Sequence, residues 1–285
     1  MDVLTQVVVW LNSLANAAGR WTLAPIAMLP GWLSATLVAA VTGVFLLIVF
    51  KHTSNQRAIK RARNAINTNL LALKLFKESA PVAVQAQGRI LLGAARLFVL
   101  ALVPILVMAV PVTLILGQLS LWYQLRPLPI DKESKQKGVI VTMALNGDDE
   151  APFPEVDLQP SGAFETIAGP ARVTSKREIW WRISPREKGY HRLTFRVGDQ
   201  FVDKELAIGD GFMRVSAQRP RWFWMDALEH PGERPFPPDS PVRAIKVDYP
   251  KDSSLISGTN WWLVYWFGIS IISGLCFRRM LNVNM

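Results

Sequence analysis

Three stretches of the chain are apolar over membrane-scale lengths. Residues 21–50 contain no charged side chain, and Trp32 to Phe50 is almost unbroken apolar sequence. Residues 97–125 are also uncharged and are dominated by Leu, Val, Ile and Ala. Residues 253–277 lack charge as well, with an apolar run from Trp261 to Phe277. A helix needs about 20 apolar residues to cross the hydrocarbon core. The pattern therefore predicts three transmembrane helices, over 31–50, 98–123 and 259–277. Pro104 and Pro111 fall inside the second and predict a kink there.

The remaining stretches carry different periods. In residues 1–30, Val3, Leu4, Val7, Val8, Leu11 and Leu14 recur at helical spacing, with Gln6, Asn12, Ser13 and Asn16 between them. This predicts an amphipathic external helix lying in the membrane interface. Pro25 and the Pro30-Gly31 pair separate it from the first span. It does not read as a secretory signal, because Asp2 stands where a basic segment belongs. Residues 51–97 predict a helical hairpin. Ser54 is its expected N-cap, Ile59, Ala62, Ile66, Leu70 and Leu73 form one stripe, and Ser79-Ala80-Pro81 forms its turn.

Strand signals occupy the core of the 124–258 region, residues 137–209. Val139, Val141 and Met143 alternate within Gly138–Leu145, and His191, Leu193, Phe195 and Val197 alternate with polar residues. Further strands are predicted over Glu178–Ile183 and Phe201–Ile208, with turns at 184–189 and at Gly198-Asp199. Short strands with frequent turns predict an antiparallel, immunoglobulin-like β-sandwich. Residues 210–258 read as a Pro-rich return. Their Trp222-Phe223-Trp224 cluster has two readings, an anchor at the membrane–water boundary or packing under the β-domain. The expected fold class is thus an α-helical membrane protein with three spans plus an external all-β domain.

Charge adds an orientation. Of 285 residues only 19% are charged, below the usual fraction of about 25% for soluble domains. The net charge is +10, and residues 51–97 carry +8 of it through nine basic residues and Glu78. Arg278 and Arg279 follow the third span in the 278–285 tail. The positive-inside rule puts 51–97 and the C-terminus in the cytoplasm and the N-terminus and 124–258 outside, as expected for a bacterial inner membrane. Arg57, Lys60, Arg61, Arg63, Lys74 and Lys77 are candidate contacts for anionic lipid head groups or a ribosome.

Candidate chemistry is sparse. The single Cys276 excludes a disulfide framework, and His52, His191 and His230 share no metal-ligand spacing. No nucleotide-binding or hydrolase motif occurs. No ionisable residue lies deep in a predicted span, which argues against an ion pathway. The sequence predicts neither an enzyme nor a cofactor.

The topology resembles the YidC/Oxa superfamily of membrane-protein insertases. The stretch Leu71-Ala72-Leu73-Lys74-Leu75-Phe76-Lys77-Glu78, with Pro81, is similar to the late part of that family's cytoplasmic hairpin, and Pro104-Ile105 matches an early position of its second core helix. The resemblance implies a groove open to the cytoplasm that receives membrane-protein substrates. Small polar residues of the spans, namely Ser34, Thr36, Thr42, Thr113, Gln118, Ser270 and Ser273, would hydrate it. Helix–helix packing is the other reading of each of these residues. The chain departs from the family in lacking an intramembrane Arg, in having three spans, and in its long external insert. The alternative function is a non-catalytic accessory subunit whose external domain binds a partner within a membrane complex.

Overall fold

The computed structural model describes residues 2–25, 29–75, 80–130, 137–147, 152–250, 261–281 and 283. The chain divides into two compact units. The first comprises residues 1–35 and 113–265, the second 36–112 and 266–285.

Helix α1 spans Val3–Leu23. Asp2 caps it, with Oδ1 accepting from the Leu4 amide at 3.1 Å and Oδ2 from the Thr5 hydroxyl at 2.9 Å. The apolar helices are α2 (Gly31–Thr53) and α4 (Ala80–Tyr123), with α3 (Gln56–Leu75) between them. Both α2 and α4 are long and apolar enough to cross a membrane. Only 6% of the most apolar stretch of α4 is buried, unlike the core helix of a soluble protein. At 44 residues α4 is about 66 Å long, and it continues through Pro104 and Pro111. The hairpin's second arm and the second span are therefore one helix. The last apolar helix has 17 residues, Trp261–Phe277, and falls short of the length of the other two. The N-cap of α3 is Asn55 rather than Ser54, because its Oδ1 accepts from the Ala58 amide at 3.0 Å. Ser54 instead accepts from the Gln56 side chain.

Among the described residues, eight strands form the β-domain. They are β1 (Val139–Leu145), β2 (Val156–Leu158), β3 (Phe164–Val173), β4 (Glu178–Pro185), β5 (Gly189–Val197), β6 (Gln200–Ile208), β7 (Gln218–Arg219) and β8 (Val242–Val247). A five-stranded sheet has the order β3-β4-β1-β8-β7, and a three-stranded sheet the order β2-β5-β6. Every strand pair in the two sheets is antiparallel. The alternation seen in sequence decides what points inward. Val141, Met143 and Leu145 of β1, Ile179, Trp181 and Ile183 of β4, and Leu193, Phe195 and Val197 of β5 share one core. The Trp181 and Phe195 rings meet at 5.0 Å between centroids. Gly198 opens the two-residue β5–β6 turn at φ +56°, a conformation that favours glycine.

Residues 210–258 do more than return the chain. Strand β8 lies beside β1, paired from Val141↔Val247 to Ala144↔Ala244 and, after a shift of register, at Leu145↔Val242, and buries Val242, Ile245 and Val247. The strand-bearing core therefore extends past 209 to 247. The short helix α5 (Trp224–Glu229) begins on the last residue of the aromatic cluster and packs on α1.

A fragment of residues 137–215 removes both strands that lie beyond one side of β1, its neighbour β8 and the β7 paired to it. We expect it to aggregate or remain unfolded, whereas residues 124–250 give a β-type circular dichroism spectrum and a cooperative melt. A cooperative melt of the shorter fragment would show β8 to be dispensable.

Candidate functional site

In the second unit, small residues set the helix packing. Ala39 and Gly43 on α2, and Ser270 and Gly274 on the last apolar helix, here α6 (Trp261–Phe277), are each four residues apart and so share a helix face. A Cβ on Gly43 would stand 2.3 Å from the Ser270 carbonyl oxygen, so only glycine fits this approach. Ser270 donates to the Ala39 carbonyl at 2.9 Å and Ser273 to that of Ala40 at 3.0 Å. Thr42 donates to the Val38 carbonyl at 2.8 Å and accepts from the Trp266 indole at 3.0 Å. Thr42 and Ser270 hydroxyls are also 3.5 Å apart. These hydroxyls satisfy their hydrogen bonds across a close helix pair.

Beside that pair is an open groove of about 220 Å³. Leu46, Leu47 and Phe50 of α2, Met108 of α4, and Phe267 and Ile271 of α6 line it. Apart from Ser270 its walls are apolar. Ser34, Thr113 and Gln118 belong to the first unit. There Ser34 accepts from the Tyr123 hydroxyl at 3.1 Å, and Gln118 donates to Asn16 at 2.9 Å. Thr36 and Thr113 are half-buried. Of the seven candidate groove residues, Thr42, Ser270 and Ser273 are brought together.

The cations of α3 are presented outward. Arg57, Lys60, Arg61, Arg63 and Lys74 are exposed, while Ile59 and Ala62 are buried. Lys77 lies outside the described residues. Ile66 meets α4 at Gly93, where a Cβ would stand 2.7 Å from its side chain. Leu70, Leu71 and Leu75 are exposed beside the cations, so the surface is amphipathic as well as basic.

The first unit contains a polar junction that sequence reasoning missed. Lys204 of β6 is fully buried. Its ammonium donates to Glu233 Oε1 at 2.5 Å and to the carbonyls of Ser216 and Glu205 at 2.7 and 3.0 Å. Glu233 also accepts from the Ser216 hydroxyl at 2.6 Å and the Glu205 amide at 2.8 Å. Burial pulls the Lys204 pKa below the usual lysine range, against the opposing pull of Glu233. Arg214 donates to Glu205 at 2.9 Å and to the Gly232 carbonyl at 2.5 Å, and also reaches Asn16 at 3.3 Å. Asn16 and Asn12 of α1 donate to the Pro231 and Ala227 carbonyls, each at 2.7 Å. Helix α1 thus turns Thr5, Asn12 and Asn16 toward the protein and leaves Val3, Leu4, Val7, Trp10 and Leu14 exposed. One available signal was a lysine at an inward position of an alternating strand, since Lys204, Leu206 and Ile208 share a face.

Aromatic residues gather where α4 and α6 belong to this unit. Phe212 lies 5.6 Å from Trp122 and 5.0 Å from Tyr123, and Trp262 is 6.4 Å from Tyr123 between ring centroids. In the 222–224 cluster, the Arg221 guanidinium lies 5.0 Å over Phe223 and pairs with Asp226 at 2.5 Å. Among the described residues no group of three or more His, Cys, Asp or Glu is placed to hold a metal ion.

Lys204→Met leaves the Glu233 carboxylate buried without its cation. This should destabilise the fold by roughly 3–5 kcal/mol, and adding Glu233→Gln should recover part of the loss. A double-variant loss equal to the sum of the Lys204→Met and Glu233→Gln losses, measured by chemical denaturation, would mean the pair is not coupled. Gly43→Ala should lower the melting temperature of the detergent-solubilised protein, at a cost of about 1–3 kcal/mol for forcing the helices apart. An unchanged melt would show that the α2–α6 approach can relax freely.

Family models, curated proteins and solved structures all gave no match to this chain, so its function has to be read from its own residues and geometry.

Proposed function

We propose that this chain is an integral membrane protein of the bacterial inner membrane that assists the insertion or assembly of other membrane proteins. The N-terminus and β-domain lie outside and the basic hairpin inside. The β-domain is an immunoglobulin-like sandwich, a reading supported by two antiparallel sheets that share one core. The observation that carries the function is the open groove walled by α2, α4 and α6. Its apolar lining suits an apolar segment of a client, which would exchange lipid contacts for contacts with Leu46, Phe50 and Met108. The long, sparsely buried α4 offers more apolar surface of the same kind. The exposed cations of α3 suit anionic lipid or a ribosome near the client's entry. The activity is binding and release, with no covalent step and no cofactor.

One observation favours the accessory-subunit reading. The hydroxyls of Thr42, Ser270 and Ser273 bond across helices rather than hydrating a path. In that reading the groove holds a permanent partner helix, and the β-domain contacts the same complex.

A photo-crosslinking residue in place of Met108 or Leu46 separates the two readings. Insertion predicts crosslinks to newly made membrane proteins that vanish when translation stops. Crosslinks to one fixed protein, independent of translation, would overturn it in favour of the accessory role. Alkaline carbonate extraction tests membrane integration separately, with the chain expected in the membrane pellet.

A further inference from the structure

A second cavity lies wholly within the first unit, and the insertion reading does not use it. Its volume is about 370 Å³, and Arg20 and Ala24 from the α1 end, Trp122 of α4, and Arg192, Glu205 and Arg214 line it. Three of these are guanidinium groups. Their nearest carboxylates are shared. Glu205 pairs with Arg214 at 2.9 Å and with Arg20 at 3.4 Å, and Asp203 pairs with Arg192 at 3.0 Å and with Arg219 at 2.5 Å. Four arginines therefore face two carboxylates, while Lys204 and Glu233 neutralise each other behind them. Arg20 and Arg192 remain 61% and 70% exposed and make one ion pair each through a single nitrogen. Both keep donors for an incoming anion.

The surroundings indicate where that anion comes from. Next to Arg20, Trp21 is 85% exposed, and the same face of α1 exposes Trp10 and Leu14. Opposite, Trp122 belongs to the aromatic group at the end of α4. A cationic cavity lined by the buried Trp122 and by the end of a helix whose exposed face carries Trp10, Leu14 and Trp21 matches the boundary between acyl chains and head groups. We infer that this cavity binds the phosphate of an anionic glycerophospholipid, with Arg20 and Arg192 on the phosphate and the acyl chains along the exposed face of α1. The inference rests on the membrane reading above and holds under either of its two functional versions.

The test uses the full chain in non-ionic detergent and follows intrinsic tryptophan fluorescence. It is titrated with short-chain phosphatidylglycerol, short-chain phosphatidylcholine and glycerol 3-phosphate. Phosphatidylglycerol should bind saturably and more tightly than the other two. Arg20→Gln with Arg192→Gln should weaken its binding roughly thirtyfold, at about a fivefold loss for each basic residue. The Arg20→Lys, Arg192→Lys variant should retain most of the affinity. An unchanged melting temperature in both variants shows the fold is intact. Equal binding of phosphatidylcholine, or an unaffected glutamine variant, overturns the site. Equal binding of glycerol 3-phosphate overturns the lipid and assigns a soluble phosphate instead. Binding in detergent does not require the chain to be integrated in a bilayer. A failed titration is therefore distinct from a failed carbonate extraction.

Discussion

The Lys204–Glu233 ion pair is the constraint on which the first unit depends. Placing a lysine among the inward positions of β6 removes an ammonium from water, which costs several kcal/mol unless every donor finds an acceptor. The chain meets that requirement by bringing a carboxylate and two carbonyls to the same point. Residue 233 must then lie beside β6, and this fixes the course of the long return. Pro231 and Gly232 immediately precede it, and their carbonyls become the acceptors for Asn16 and Arg214. The position of α1 is in this sense a consequence of burying one lysine.

That docking turns the amphipathic helix so that its polar face meets protein. Asn12 and Asn16 are satisfied by backbone carbonyls, and Val3, Leu4, Val7, Trp10, Leu14 and Trp21 are left outward. In water such an arrangement would expose an apolar stripe at considerable cost. Against acyl chains the same stripe is favourable, and the buried amides lose nothing because their partners are fixed. Arg20 near the end of the helix lies beside Glu205 of β6, so the apolar stripe and the cationic cavity adjoin within one unit.

In the second unit, close packing and an open groove occur side by side. The glycine at 43 lets two backbones approach, and hydroxyl groups on both helices complete the contact. In an apolar medium there is little hydrophobic drive for helices to associate, so small residues and interhelical hydrogen bonds matter more. α4 meets α3 closely at Gly93, but only 6% of its most apolar stretch is buried. One tight pair and one loosely held helix leave room for a further apolar segment.

Much of this was legible in the chain. Uncharged runs located α2, α4 and α6 because desolvating a charge in hydrocarbon costs far more than any local propensity contributes. Period-two alternation located β1, β4, β5 and β6, since a half-buried strand must place apolar groups on one face. The helical repeat in residues 3–16 marked α1, although its extension to Leu23 and its Asp2 cap emerged only in three dimensions. Strand β8 was hidden by the prolines around it, and its place beside β1 is a pairing across about a hundred residues that no local window registers. Polar residues were the hardest to assign. Composition shows Thr42, Ser270 and Ser273 as small polar groups in apolar helices but cannot say whether they face water or a neighbour. Likewise, sequence placed Lys204 in a strand, while its burial, its partner 29 residues away and the joining of α1 to the same network were decided by tertiary structure. A side chain's period fixes which face it occupies, whereas what lies against that face depends on contacts made far along the chain.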